Sequence, residues 1–200
     1  MAWEWASVVP SLISTASGLG GVFLGAKLTS TREAKRETDK AQMDARYLAI
    51  LVSAHLERFA YNCLVASQDD GTIFGQPAGK DGTHKATSPR PTFDPLSLSV
   101  EWKSLPADLM YEILNLPYRT EVLSVRIAEV WEDDFPPDYP EFFWARQHGY
   151  ATLGLDACTL AKRLRKHAGL PELPLPTDGS LTQQELLRGQ LNELEEAAIE

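Results

Sequence analysis

The stretch "YLAILVSAHLERFAYNCLVAS", residues 47–67, sets the fold class. Counting from Met43, its apolar residues are Met43, Tyr47, Leu48, Ile50, Leu51, Val52, Leu56, Phe59, Ala60, Cys63, Leu64 and Val65. They recur at intervals of three and four, which predicts an amphipathic helix with a wide buried face. A face that wide needs other helices to cover it. The reading is therefore all-α: a small helical bundle over 43–170, with no convincing strand and no internal repeat.

Upstream, residues 29–42 are densely charged and read as a helical connector. Before them, Trp5 to Ala26 carries no charged residue. As a helix this run spans a hydrocarbon core of about 30 Å. Pro10 lies near its start, where a helix tolerates proline. Trp3 and Trp5 stand where an interfacial aromatic belt would sit. A cleavable signal peptide would need a positive n-region, but "MAWEWA" has Glu4 and no Lys or Arg. A soluble core helix gains nothing from so many glycines, each of which lowers helix propensity. Residues 1–28 are thus expected to be an N-terminal transmembrane anchor. Lys27, Arg32, Lys35, Arg36, Lys40 and Arg46 all follow the run and no cation precedes it, so the bundle is expected on the cytoplasmic side. Gly18, Gly21 and Gly25 share small-xxx-small spacing with Ser14 and Ser17, the pattern that lets two membrane helices approach closely. The expected partners are the lipid bilayer and a second copy through this face.

Downstream, "QDDGTIFGQPAGKDGTHKATSPRPTFDP", residues 68–95, is long for a connection within a domain. Its Gly/Pro content predicts a mobile or extended segment over 71–93. Asp69, Asp70, Asp81 and His84 invite a metal reading, but their spacing fits no calcium loop. Next come a helix capped by Ser104 and stopped at Pro117, a second over 118–132, and a long one over 140–167 ending at Gly169. Residues 171–200 read as a Pro-rich spacer and an acidic C-terminal helix, with Ser180 and Gln183 as its capping box.

The bulk numbers exclude several classes. The chain has 200 residues, is 44% apolar and 24% charged, and carries a formal net charge of −9. That balance suits a soluble domain with one anchor and argues against nucleic acid as a partner. Cys63 and Cys158 sit in apolar helical contexts and read as buried thiols. No HExxH, GxSxG, phosphate loop or dinucleotide fingerprint is present. His55 and Glu57 form an H-x-E without the cysteines a zinc deaminase needs. No catalytic residue, cofactor or metal is therefore expected. One polar set stands out: Arg46, His55, Glu57 and Arg58 on one helix against Arg146, His148 and Arg165 on another.

The blocks "YLAILVSAHLERFAYNCLVASQDDG", "VEWKSLPADLMYEILNLP" and "YATLGLDACTLAKRLRKHAGLP" cover about a third of the chain. In these the sequence resembles a group of uncharacterised bacterial and phage-borne proteins with an N-terminal membrane helix. The resemblance implies a fold and an anchor in a bacterial inner membrane, and brings no site residues. The functional expectation is a membrane-tethered interaction or scaffold protein with an unidentified protein partner. The alternatives are an enzyme with a site between the helices, or a soluble protein whose N-terminal helix docks into a partner.

Overall fold

A computed structural model of the chain describes residues 5–198, with side chains at Lys27 and from residue 29 onward. Among the described residues the chain is mostly helical, 68% helix in four helices with almost no strand. Helix α1 is Trp5–Ser67, α2 Ala107–Asp133, α3 Pro140–His167 and α4 Gln183–Ala197. The chain divides into two compact units, Met1–Met43 and Asp44–Glu200. In the first, the described side chains are exposed, and Thr31 and Thr38 donate back to the carbonyls of Lys27 and Ala34. The run expected to cross the membrane, with Gly18, Gly21 and Gly25, lies outside the residues whose side chains are described.

The second unit is built around α3. Three cross-helix contacts fix α1 antiparallel to it: Arg165 with Glu57, Gly154 beside Cys63, and Arg146 with Asp69. Helix α2 is also antiparallel, through Arg163 with Asp108 and Glu112, Arg119 with Asp156, and Leu123 against Gly149. Helix α4 is the third antiparallel neighbour, with Lys162 on Gln184, Leu187 at Gly154 and Trp144 on the Leu194 carbonyl. The core joins Leu48, Val52, Leu56 and Phe59 of α1 to Ile113 and Leu116 of α2 and Tyr150, Leu160 and Leu164 of α3. Small residues line the closest approach. A Cβ at Gly154 would stand 3.0 Å from Cys63 Cβ and 2.9 Å from Leu187 Cδ2, so glycine is what admits α1 and α4 together.

Three local features differ from the sequence expectation. Pro117 does not stop a helix; α2 runs through it. Leu109, Ile113 and Leu116 are buried before it and Thr120 and Ile127 after it. Burial on both sides outweighs the ~3 kcal/mol that an interior proline costs. Ser104 does not cap α2. It closes a single 3-10 turn by donating to Glu101 O at 2.7 Å, and the chain then extends through Leu105, which is buried, before α2 begins. The box at α4 is Thr182 with Glu185, not Ser180 with Gln183. Glu185 N donates to Thr182 Oγ1, and Thr182 N donates to Glu185 Oε2 at 2.7 Å. A carboxylate at the third helical position serves this role and also complements the helix dipole.

Helix α4 joins the bundle through Leu187, which is fully buried against Leu64 and Ala151. Leu187→Ala should cost about 2–5 kcal/mol in chemical unfolding. It should also raise amide exchange across 183–197 before the rest of the bundle opens.

Candidate functional site

Three features of the second unit stand out: a buried polar clasp, a cleft beside α3, and exposed apolar residues along the outer sides of α1 and α2.

The clasp sits where the metal reading began. Asp69 is almost fully buried at the C-terminal side of α1. Its Oδ1 accepts from Gly71 N at 3.1 Å and Thr87 Oγ1 at 2.8 Å. Its Oδ2 accepts from Thr87 N, Ser88 N and Ser88 Oγ at 2.8–2.9 Å, and from Arg146 Nη2 at 3.3 Å. Arg146 Nη2 also donates to Ser88 O at 2.8 Å, and its guanidinium lies over the Tyr150 ring. Burial by itself would raise the Asp69 pKa; the hydrogen bonds from Ser88, Thr87 and Gly71 outweigh it and hold the carboxyl below its ordinary value. With both oxygens so occupied, Asp69 is an organiser of the loop.

The 71–93 segment, expected to be mobile or extended, is extended over much of its length and held by specific contacts. Gly71 adopts φ +78°, and a Cβ there would meet the Phe143 ring at 2.3 Å. His84 Nδ1 reaches Asp70 O at 2.9 Å, and His84 N donates to Pro137 O. Phe93 packs against Phe59 in the core. A two-residue hairpin pair, Thr72–Ile73 with Gln76–Pro77, closes the tip. Composition missed this because Asp, Thr and Ser also fill flexible loops; the distinguishing partner, Arg146, lies far along the chain.

The polar set from the sequence is only partly brought together. Arg165 pairs with Glu57 at 2.9 Å, and Arg46 donates to Ala168 O. Arg146 and His148 turn elsewhere, to Asp69 and Glu195. His55 and Arg58 are exposed. Cys63 and Cys158 are free thiols. Burial pushes both upward, Cys158 to about 11, so neither is a thiolate near neutral pH.

The cleft, of about 770 Å³, lies between the C-terminal half of α3, the 170–176 segment and the start of α4. Cys158 and Ala161 form part of its wall, Leu173 and Leu175 another part, and Lys162 and Lys166 also line it. The stripes run along the outer sides of α1 and α2. On α1, Tyr47, Ile50, Tyr61 and Val65 lie opposite the core face, with Tyr47 57% and Tyr61 58% exposed. On α2, Tyr111, Tyr118, Val122 and Val125 do the same, with Tyr118 67% exposed. Spacings of seven, four and three place the α2 set on one side of its helix; on α1 Tyr47 and Ile50 are three apart and Tyr61 and Val65 four apart, with exposed Ala54, His55 and Arg58 between the two pairs.

Among the described residues, Thr29–Ser67 is long and apolar enough to cross a membrane by length and composition. Half of its most apolar 18-residue stretch is buried, and a soluble core helix passes the same test. No protein-family model, curated protein or solved structure matches the chain.

Removing Asp69 leaves the Arg146 charge buried and unpaired. Asp69→Ala should cost about 3–5 kcal/mol and open 71–93 to limited proteolysis, whereas the wild-type span should resist. Because the native pKa of Asp69 lies below its unfolded value, its contribution is complete above the ordinary aspartate pKa. It is lost as pH falls through the native value. Acid unfolding of wild type should show that component, and Asp69→Ala should lack it.

Proposed function

We propose that the protein is a membrane-tethered interaction protein. In this reading residues 1–28 anchor it N-out in a bacterial inner membrane, and the helical bundle meets a protein partner in the cytoplasm. The observation that carries the interaction half is the pair of uncovered apolar stripes on α1 and α2. Soluble monomers scatter exposed apolar residues singly; aligned rows of them mark contact surfaces. Tyrosine suits such a surface, since it gives a large apolar body with a polar tip.

The tether rests on the sequence. An uncharged run long enough for a bilayer precedes a one-sided set of cations. That run and the core helix of the bundle belong to the same helical element, Trp5–Ser67. Self-association through Gly18, Gly21 and Gly25 is part of the proposal, because close backbone packing is what holds two apolar helices together in lipid.

Alkaline carbonate should leave the protein in the membrane pellet, and a cytoplasm-only reporter fused after Glu200 should be active. Release by carbonate would overturn the tether, and activity of a periplasm-only reporter would overturn the orientation. In a membrane two-hybrid assay Gly21→Leu should weaken self-association without changing insertion. Tyr47→Glu with Tyr118→Glu should leave both unchanged while abolishing partner binding.

A further inference from the structure

We propose that the turn between α2 and α3 docks a basic segment of a protein partner, a short stretch in which lysines or arginines flank an apolar residue. This surface lies beyond the apolar residues of α1 and α2 described above, and the proposal does not depend on the tether.

An apolar anchor stands at the turn. Phe135 is 79% exposed and Trp131 41% exposed. The backbone that carries them is held in place. Trp131 stacks on Tyr139 at 4.1 Å and meets Phe142 edge-on at 4.9 Å. Tyr139 N donates to Phe135 O at 3.3 Å, and His84 N donates to Pro137 O at 2.8 Å from the neighbouring loop. Phe135 adds little to the core, yet it is presented on a preorganised turn, where binding costs little conformational entropy.

Charge selects the partner. Between Arg126 and Arg146 the chain has six carboxylates, Glu129, Glu132, Asp133, Asp134, Asp138 and Glu141, and no lysine or arginine. Asp134 serves the fold, accepting from Phe135 N and Phe142 N at 2.8 Å. Asp138 faces His84 at 3.5 Å. The other four have no side-chain ion pair or hydrogen bond among the described residues. The adjoining loop brings Lys80, His84 and Lys85, but also Asp70 and Asp81. Arg146, Arg90 and His148 are taken by Asp69, Glu121 and Glu195. With Arg126 included and His84 counted as charged, eight carboxylates stand against four cations. Stability does not account for the excess. Glu132 and Asp133 occupy the last turn of α2, which holds no basic residue, although a helix C-terminus favours cations. Glu129 lies three and four residues before them, so like charges are neighbours on the helix surface. A bound cation relieves both arrangements. Among the described residues no three of His, Cys, Asp or Glu are grouped to hold a metal ion. Nucleic acid and anionic lipid carry the wrong sign. A basic peptide with an apolar residue for Phe135 fits both the charge and the aromatic surface.

The full chain would be held in phosphatidylcholine nanodiscs, or in buffer if carbonate releases it, and titrated into fluorescein-labelled synthetic peptides followed by anisotropy. The peptide KRKLLKRK should bind, more weakly as salt rises. QQQLLQQQ and KRKGGKRK, which lack the charge or the apolar pair, should bind at least roughly tenfold more weakly. Glu129→Gln with Glu132→Gln should weaken KRKLLKRK binding roughly tenfold, and so should Phe135→Ser. The glutamine variant removes a repulsion, so its thermal midpoint should not fall, which separates lost binding from lost folding. Glu193→Gln with Glu196→Gln makes the same change in net charge on α4 and should leave binding unchanged. Equal binding of either altered peptide would overturn the proposal, as would full binding in either turn variant or an equal loss in the α4 variant. Loss of two-hybrid self-association in the Glu129→Gln, Glu132→Gln variant would overturn it in favour of a second copy of this chain. Displacement of the peptide by micromolar calcium would overturn it in favour of a metal ion.

Discussion

The ion pair between Asp69 and Arg146 is the constraint on which the rest of the bundle depends. It joins the end of α1's core half to α3, and the same carboxylate gathers Gly71, Thr87 and Ser88. A buried pair is not by itself a large source of stability, because desolvation offsets most of its attraction. Its effect here is specificity. Any arrangement that separates α1 from α3 at this level leaves a buried charge with no partner. The 68–95 segment must then follow one path back to α2, and Phe93 is delivered to the core beside Phe59.

Helix α3 carries the consequences outward. All three of its neighbours run antiparallel to it, and its charged and small residues meet α1, α2 and α4. Gly149 receives Leu123 of α2, and Gly154 receives Cys63 of α1 and Leu187 of α4. Close approach at these glycines replaces side-chain volume as the source of packing contact. It also explains why α4 is held at all: one fully buried leucine, a capped N-terminus and the Trp144 indole on the Leu194 carbonyl suffice for a 15-residue helix.

The functional surfaces follow from the same geometry. With α3 at the centre, α1 and α2 each bury one side against it and leave the other outward; the outward side of α1 carries Tyr, Ile and Val, that of α2 Tyr and Val. The spacer that leads from α3 to α4 cannot pack as a helix because of its prolines. It stands off from α3 and leaves the lysine-rimmed cleft between them. The apolar stripes and the cleft are thus separate surfaces.

The all-α class, the buried positions Leu48, Val52, Leu56, Phe59, Ala60, Cys63 and Leu64 of α1 and the extent of α3 were legible in the sequence, whereas Met43, Tyr47, Ile50 and Val65, read as part of the same buried face, are exposed. Each depends on local periodicity, and three-to-four spacing of Leu, Val and Phe around Tyr47–Ser67 has one economical reading. The C-terminal end of α3 was legible for the same local reason: Gly169 in the left-handed region after a basic last turn. The continuity of α2 through Pro117 was not, because it is decided by what Leu116 and Thr120 bury against. Nor was the shift of the α4 box to Thr182, where two serviceable caps lay two residues apart and packing of Leu187 chose between them. The loop and the cleft were furthest from view. Asp69 reads as a loop acid until Arg146 is brought beside it. The charges of Arg163 and Arg165 read as part of a basic helix end until the fold pairs Arg163 with Asp108 and Glu112, and Arg165 with Glu57. Sequence fixes what each residue prefers locally; only tertiary contact, by pairing groups far apart in the chain, determines which charges and apolar faces remain unsatisfied.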